Sequence, residues 1–146
     1  MDITRKIIFH AGHMLKDDTS KCHAPHGHEY IIECTVEGDV KKEQSGDEVG
    51  MVMNFGVLKG IMMDQVHDYF DHKFIIQQND PRQAAFVKAV NYQGVITVPW
   101  APTAENIAEF CFDLIQRELP KRVKVKKVRV QETSNCWAEY YGEAGS

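Results

Sequence analysis

The chain has 146 residues, 43% of them hydrophobic and 26% charged, with a formal net charge of -4. That length fits a single domain over residues 1–146. The acidic balance leaves no global basic field, which argues against a chain built to grip nucleic acid or an anionic membrane. No apolar run nears the ~18 residues needed to cross a bilayer. The first residues lack the apolar core of an export signal, so the four cysteines are expected as reduced thiols in a cytoplasmic setting.

Residues 3 to 11 read as a strand, with Ile3, Ile7 and Phe9 in one phase. Ile8 in the opposite phase predicts that the second face also meets protein. From His28 to Val36, Tyr30, Ile32, Cys34 and Val36 alternate with glutamates, as in a sheet with one covered face. Gly38-Asp39 and Ser45-Gly46-Asp47 predict a hairpin connection, and Val49 to Met53 an antiparallel return. A helix is expected over Val57 to Phe70, from the stripe Leu58, Ile61, Met62, Val66, Tyr69 and Phe70. Asp80 and Pro81 predict the start of a short second helix, to about Ala89. Thr103 should cap a third, to about Glu118, ended by Pro120.

Val123, Val125, Val128 and Val130 then alternate with a slip in phase, which predicts a bulge around Lys126-Lys127. Trp137 to Tyr141 pairs back on that strand. The basic residues between Lys121 and Arg129 read as a solvated strand face. This order predicts an α+β fold, an antiparallel sheet with helices on one face. Cys34 and Cys111, on apolar faces, are expected in the core.

The chemistry concentrates in Cys22-His23-Ala24-Pro25-His26-Gly27-His28, with His13 shortly before. The two-residue spacing of His26 and His28 on a strand aims both imidazoles at one face. His13, in phase with Phe9 and Ala11, ends the neighbouring strand. Three nitrogen ligands with one open position suit a catalytic zinc, and Gly27 leaves room for a turn or an approaching ligand. A closed structural zinc with Cys22 as fourth ligand is the competing reading.

Asp71-His72 ends the first helix. A carboxylate beside an imidazole can fix its tautomer and let it activate a thiol, or the histidine can simply close a helix C-terminus. Glu132, at the end of an apolar strand, is placed to accept two N–H donors of a guanidine-like edge, or to be solvated.

Together, the histidine after a first strand, C-x-x-x-H-G-H, D-H, and P-T-x-E-N followed by E-T resemble the 6-pyruvoyl- and 6-carboxy-tetrahydropterin synthase family, in its order, from Phe9 to about Tyr141. The resemblance implies the tunnelling fold, with sheets of several subunits closed into a barrel, typically a homohexamer with interfacial active sites. It implies zinc on His13, His26 and His28, and a catalytic Cys22 coupled to Asp71 and His72, across an interface if need be. Glu132 would anchor the pterin, with Thr103 and Ala104 lining that pocket.

Both reactions of the family act on 7,8-dihydroneopterin triphosphate. The spacing of Cys22 and His26, with P-T-A-E-N, resembles the carboxy-forming branch that leads to 7-deazaguanine and queuosine. Gly50 to Asn54 is similar to the pyruvoyl-forming enzymes. A non-catalytic zinc module that binds a pterin, purine or protein partner is the reading from another class. A zinc hydrolase lacks its H-E-x-x-H. The long segment from residue 73 to 101, with Pro81, Phe86 and Trp100, departs from compact members and is expected to add a helix and a strand at a pocket rim or an interface.

Overall fold

The computed structural model describes residues 1–90 and 92–143, Tyr92 by its backbone alone. Strands β1 (Asp2–His13) and β2 (His26–Glu37) pair antiparallel along their whole length, and β5 (Lys124–Thr133) and β6 (Cys136–Tyr140) continue the antiparallel set. The alternation anticipated in the sequence is realised. Ile7, Phe9, Tyr30, Ile32, Cys34, Val36, Val128 and Val130 all point into one core. The phase slip is a bulge, because Thr35 pairs with Lys127 and Val36 with Val125, leaving Lys126 as the extra residue.

Helices α1 (Phe55–Met62) and α4 (Ala104–Glu118) cover the core face. Thr103 caps α4 by accepting the Asn106 N–H at 3.2 Å, and Ile107, Cys111 and Ile115 are buried. The helix expected over residues 57 to 70 is not uniform: a π-helical segment, Met63–His67, separates α1 from α2 (Asp68–Phe70). Leu58, Met62, Val66 and Phe70 are the buried positions. Three four-residue steps drift by about 120° around a regular helix, and the wider turn takes up that excess.

The 73 to 101 segment, expected to add a helix and one strand, adds two strands. β3 (Lys73–Gln77) and β4 (Val95–Val98) add parallel to the β1 edge, so the sheet is mixed, in the order β4-β3-β1-β2-β5-β6. It curls into a half-barrel. Between them, α3 (Gln83–Val90) supplies the crossover that parallel strands require. The 73 to 101 segment is thus a strand–helix–strand unit. The ring of Phe86 in α3 packs at a tilt against that of Phe74, centroids 4.1 Å apart. Phe74 lies over Gly12, where an added Cβ would meet its ring at 2.5 Å. Gly12 faces away from His13, so Phe86 covers the face opposite α1 and α4.

Two expectations fail. Val49 to Met53 is not a strand: Glu48 and Gly50 have φ of 63° and 80°, which turns the chain, and the adjacent Val52 and Met53 are both buried, without strand alternation. Asp80 does not cap a helix beginning at Pro81. α3 starts at Gln83, and the Asp80 carboxylate is taken up by Arg82. Three of the basic strand residues are paired with carboxylates, Lys126 with Asp2 at 2.8 Å, Lys127 with Glu139 at 3.5 Å and Arg129 with Glu33 at 2.8 Å. Ile8 stays 43% exposed, so within one chain the second face of the sheet meets solvent there. No helix among the described residues is long and apolar enough to cross a membrane.

Candidate functional site

The core-facing phase of the two central strands becomes polar at one end of the sheet. On β1, Phe9 and Ala11 are followed by His13; on β2, Ile32 and Tyr30 are preceded by His28 and His26. Antiparallel register sets His13 opposite His26, with His28 opposite Ala11. Their ligand-capable nitrogens all lie within 4.8 Å of one another, and the Nε2 atoms of His13 and His26 are 3.0 Å apart. The fully buried Tyr30 packs its ring edge-on to His13 and His28, and Phe9 and Phe70 stack behind it. An aromatic floor therefore holds the imidazoles in place.

The protonation pattern follows from the partners. His13 Nδ1 sits 2.6 Å from the Pro102 carbonyl and His26 Nδ1 2.7 Å from the Ala24 carbonyl. Carbonyls only accept, so both Nδ1 atoms carry a proton, and both Nε2 atoms are turned to the cluster. His28 Nε2 is buried with no hydrogen-bond partner, an orphan that a cation would satisfy. Burial lowers the His13 pKa to about 4, against the Pro102 carbonyl and with help from His26 and His28. Burial likewise lowers that of His28. Convergent imidazoles, two of them anchored through Nδ1, are the donor set of a transition-metal site with an open position.

Cys22 and Glu132 line the same cavity of about 630 Å³ as the histidines, together with Leu15, Lys21, Thr103, Ala104, Glu105, Thr133 and Cys136. Cys22 belongs to a 3₁₀ turn, Lys21–His23, capped by Ser20, whose Oγ accepts the Cys22 N–H at 3.2 Å. Among the described residues the metal-capable cluster comprises the three histidines, and Cys22 stands outside it. Glu132 approaches His28 Nε2 at 3.9 Å. Burial raises its pKa, and the nearby Glu105 raises it further, while His26 opposes. Thr103 and Ala104 bring the N-terminus of α4 to the cavity wall. The Thr103 N–H is spent on the Ala101 carbonyl and its hydroxyl on Asn106.

Asp71 and His72 form a bonded pair. The chain leaves α2 at Asp71 in extended conformation, and His72 has a φ of 59°, so adjacent side chains meet, His72 Nδ1 to Asp71 Oδ2, at 2.7 Å. Asp71 also accepts the His10 N–H at 3.0 Å, and that bond, more than His72, lowers its pKa. His72 borders a different, open depression of about 550 Å³, lined also by His10, Glu29 and Lys73. Within one chain the pair is not brought to Cys22.

Some residues escaped the sequence reading. Glu105 lies within the P-T-x-E-N motif without a role of its own there, and Cys136 was given no role, yet both line the cavity. Their signal was position alone, one after a helix cap and the other after the turn that follows Glu132. Gly27 has a different reason from the one expected: an added Cβ would meet the Ala11 carbonyl at 3.0 Å, a crowding between strands.

The chain is similar to known proteins over nearly its whole length. The family model described as 6-pyruvoyl tetrahydropterin synthase matches residues 2–143. A 6-carboxy-5,6,7,8-tetrahydropterin synthase of Rickettsia bellii is 35% identical over 138 residues, 93% of this chain and 96% of that protein. A 6-pyruvoyl tetrahydrobiopterin synthase of Dictyostelium discoideum is 30% identical over 151 residues, 97% and 96% of the two chains. In structure, the 6-pyruvoyl tetrahydropterin synthase of Caenorhabditis elegans superposes with a TM-score of 0.67 at 24% identity, over 98% of this chain and 96% of that one.

Proposed function

The chain belongs to the 6-pyruvoyl tetrahydropterin synthase family and is a lyase of the tunnelling fold, and on that premise we propose that it is a zinc-dependent 6-carboxy-tetrahydropterin synthase. In this reading it converts 7,8-dihydroneopterin triphosphate and water to 6-carboxy-5,6,7,8-tetrahydropterin, acetaldehyde and triphosphate. The setting is cytoplasmic, within 7-deazaguanine and queuosine formation. The observation that carries it is the convergence of three imidazole nitrogens in the cavity that Cys22 and Glu132 also line.

His13, His26 and His28 would hold the zinc. When bound, it supplies a Lewis acid that acidifies the substrate's side-chain hydroxyls. Glu132, ionised, accepts two N–H bonds from the guanidine-like edge of the pterin and so fixes the ring. The α4 N-terminus at Thr103 and Ala104 closes that end of the pocket. Cys22 takes or returns a proton at the side-chain carbons, its thiol acting as an acid–base group. Lys21, on the same wall, offers a cation to the triphosphate.

Asp71 holds His72 in one tautomer, as a relay must. Because His72 opens on a different depression, this reading needs a second copy of the chain, whose Asp71-His72 pair completes the site of the first. A homohexamer that closes the half-sheets into a barrel would provide that copy and cover Ile8. The Dictyostelium relative and the Gly50 to Asn54 segment favour the pyruvoyl product as the second reading.

Incubating the zinc-loaded protein with dihydroneopterin triphosphate and identifying all products by mass decides between them. Acetaldehyde and the 6-carboxylate are expected; a pyruvoyl product alone overturns the carboxy assignment. No turnover, with pterin still bound, would leave the non-catalytic module. Cys22→Ala should keep its zinc and lose turnover by about 10²-fold or more. Loss of zinc in that variant would instead make Cys22 a ligand.

A further inference from the structure

The loop between β1 and β2 is anchored at its start by the fully buried Met14, but no residue of the Lys21–His23 turn that carries Cys22 is buried. Its place rests on polar bonds. Leu15 N–H donates to the Cys22 carbonyl at 3.1 Å, and His23 Nδ1 donates to the Leu15 carbonyl at 2.9 Å. The remaining ties come from far along the chain. Arg82, in the turn before α3, donates from Nη1 to the His23 carbonyl and from Nη2 to the Leu15 carbonyl at 3.4 Å. One guanidinium thus clasps the loop on both sides of the thiol.

Arg82 is itself held. Asp80, whose side chain is fully buried, receives Arg82 Nε at Oδ1, 3.0 Å, and Nη2 at Oδ2, 2.9 Å; its Oδ1 also takes the Arg82 backbone N–H at 2.9 Å. A buried carboxylate that lost this partner would be costly, so the pair is locked as a unit. A lysine has a single ammonium and cannot bind a carboxylate side-on while reaching two carbonyls.

We propose that Arg82, fixed by Asp80, is a positioning residue for Cys22: the guanidinium clasp on Leu15 and His23 sets where the thiol meets the cavity. This rests on the reading above, in which Cys22 handles the substrate's protons. It also gives the segment between β3 and β4 a task. A displacement of about 1 Å at a reacting group can cost on the order of 10²-fold in rate, so a released loop should lower kcat while ring binding at Glu132 persists.

The test compares wild type, Arg82→Ala and Cys22→Ala as zinc-loaded proteins. For Arg82→Ala we expect unchanged zinc content, KM within about threefold and kcat lower by about 10- to 100-fold, with millimolar guanidinium chloride restoring part of kcat. Cys22→Ala is not restored. Independently of turnover, alkylation by iodoacetamide, followed by mass on the peptides of Cys22 and Cys136, should be several-fold faster at Cys22 in Arg82→Ala and unchanged at Cys136.

An unchanged Cys22 alkylation rate in the folded variant overturns the clasp, whatever kcat does. Absence of turnover in the wild type removes the functional reading, while the alkylation comparison still decides the clasp. If Arg82→Ala does not fold, Arg82→Lys and Asp80→Asn carry the same alkylation comparison, with the same expected direction.

Discussion

Replacing His13 by glutamine removes a titrating imidazole but keeps an amide N–H for the Pro102 carbonyl. His13 is 3% exposed, and burial lowers its pKa to about 4. In the unfolded chain the same imidazole titrates near 6.5. Between those values the unfolded state binds more protons, so falling pH favours unfolding. The metal-free wild type therefore loses stability as pH drops from about 6.5 towards 4, and regains it above that window. The two pKa values give a loss of about 2 kcal/mol between about pH 7.5 and pH 5, and about 3 kcal/mol at pH 4.

Other groups add their own pH dependence, but the difference between wild type and His13→Gln isolates this one. Urea unfolding in chelator, at matched protein concentration and followed by tryptophan fluorescence, measures it at each pH. The wild type should lose its margin over the variant by about 2 kcal/mol across that span. Parallel pH profiles for the two proteins would refute the claim that a neutral imidazole is buried at the cluster.

Three further outcomes follow from other residues. His28→Ala removes the orphan nitrogen, and zinc per chain, read by plasma mass spectrometry after gel filtration, should fall at least about tenfold. Glu132→Gln exchanges the carboxylate for an amide that can accept only on one side. Its kcat/KM should drop by on the order of 10- to 100-fold, with zinc retained, as steady-state kinetics would show. Phe70→Ala empties the floor between Phe9 and Phe110, to which Phe70 lies at 5.2 and 5.8 Å. It should cost about 3 to 5 kcal/mol in urea unfolding.

Much of the fold was legible because burial imposes a period. Alternation in β1, β2 and β5 follows from one covered face, and even the bulge at Lys126 left its mark as a phase slip. Short apolar runs carry no such mark. Phe74-Ile75-Ile76 and Val95 to Val98 are too brief for periodicity to tell strand from helix, and their parallel pairing is a property of distant partners. The Val49 to Met53 run misled because Val52 and Met53 are buried from a turn rather than from a strand.

At the site the division is similar. His26-Gly27-His28 and the phase of His13 determined, from sequence alone, that three imidazoles share a face, because side chains alternate strictly along a strand. The sequence also placed Asp71 beside His72. Only tertiary structure decided that Nδ1 of His13 and of His26 is spent on a carbonyl, and that His28 is left without a partner. It alone separated His72 from the cavity of Cys22, and brought Arg82 from the turn before α3 to clasp the loop of the thiol. Spacing governs which way neighbouring side chains point, whereas hydrogen-bond partners and cavities depend on which remote segments packing brings together.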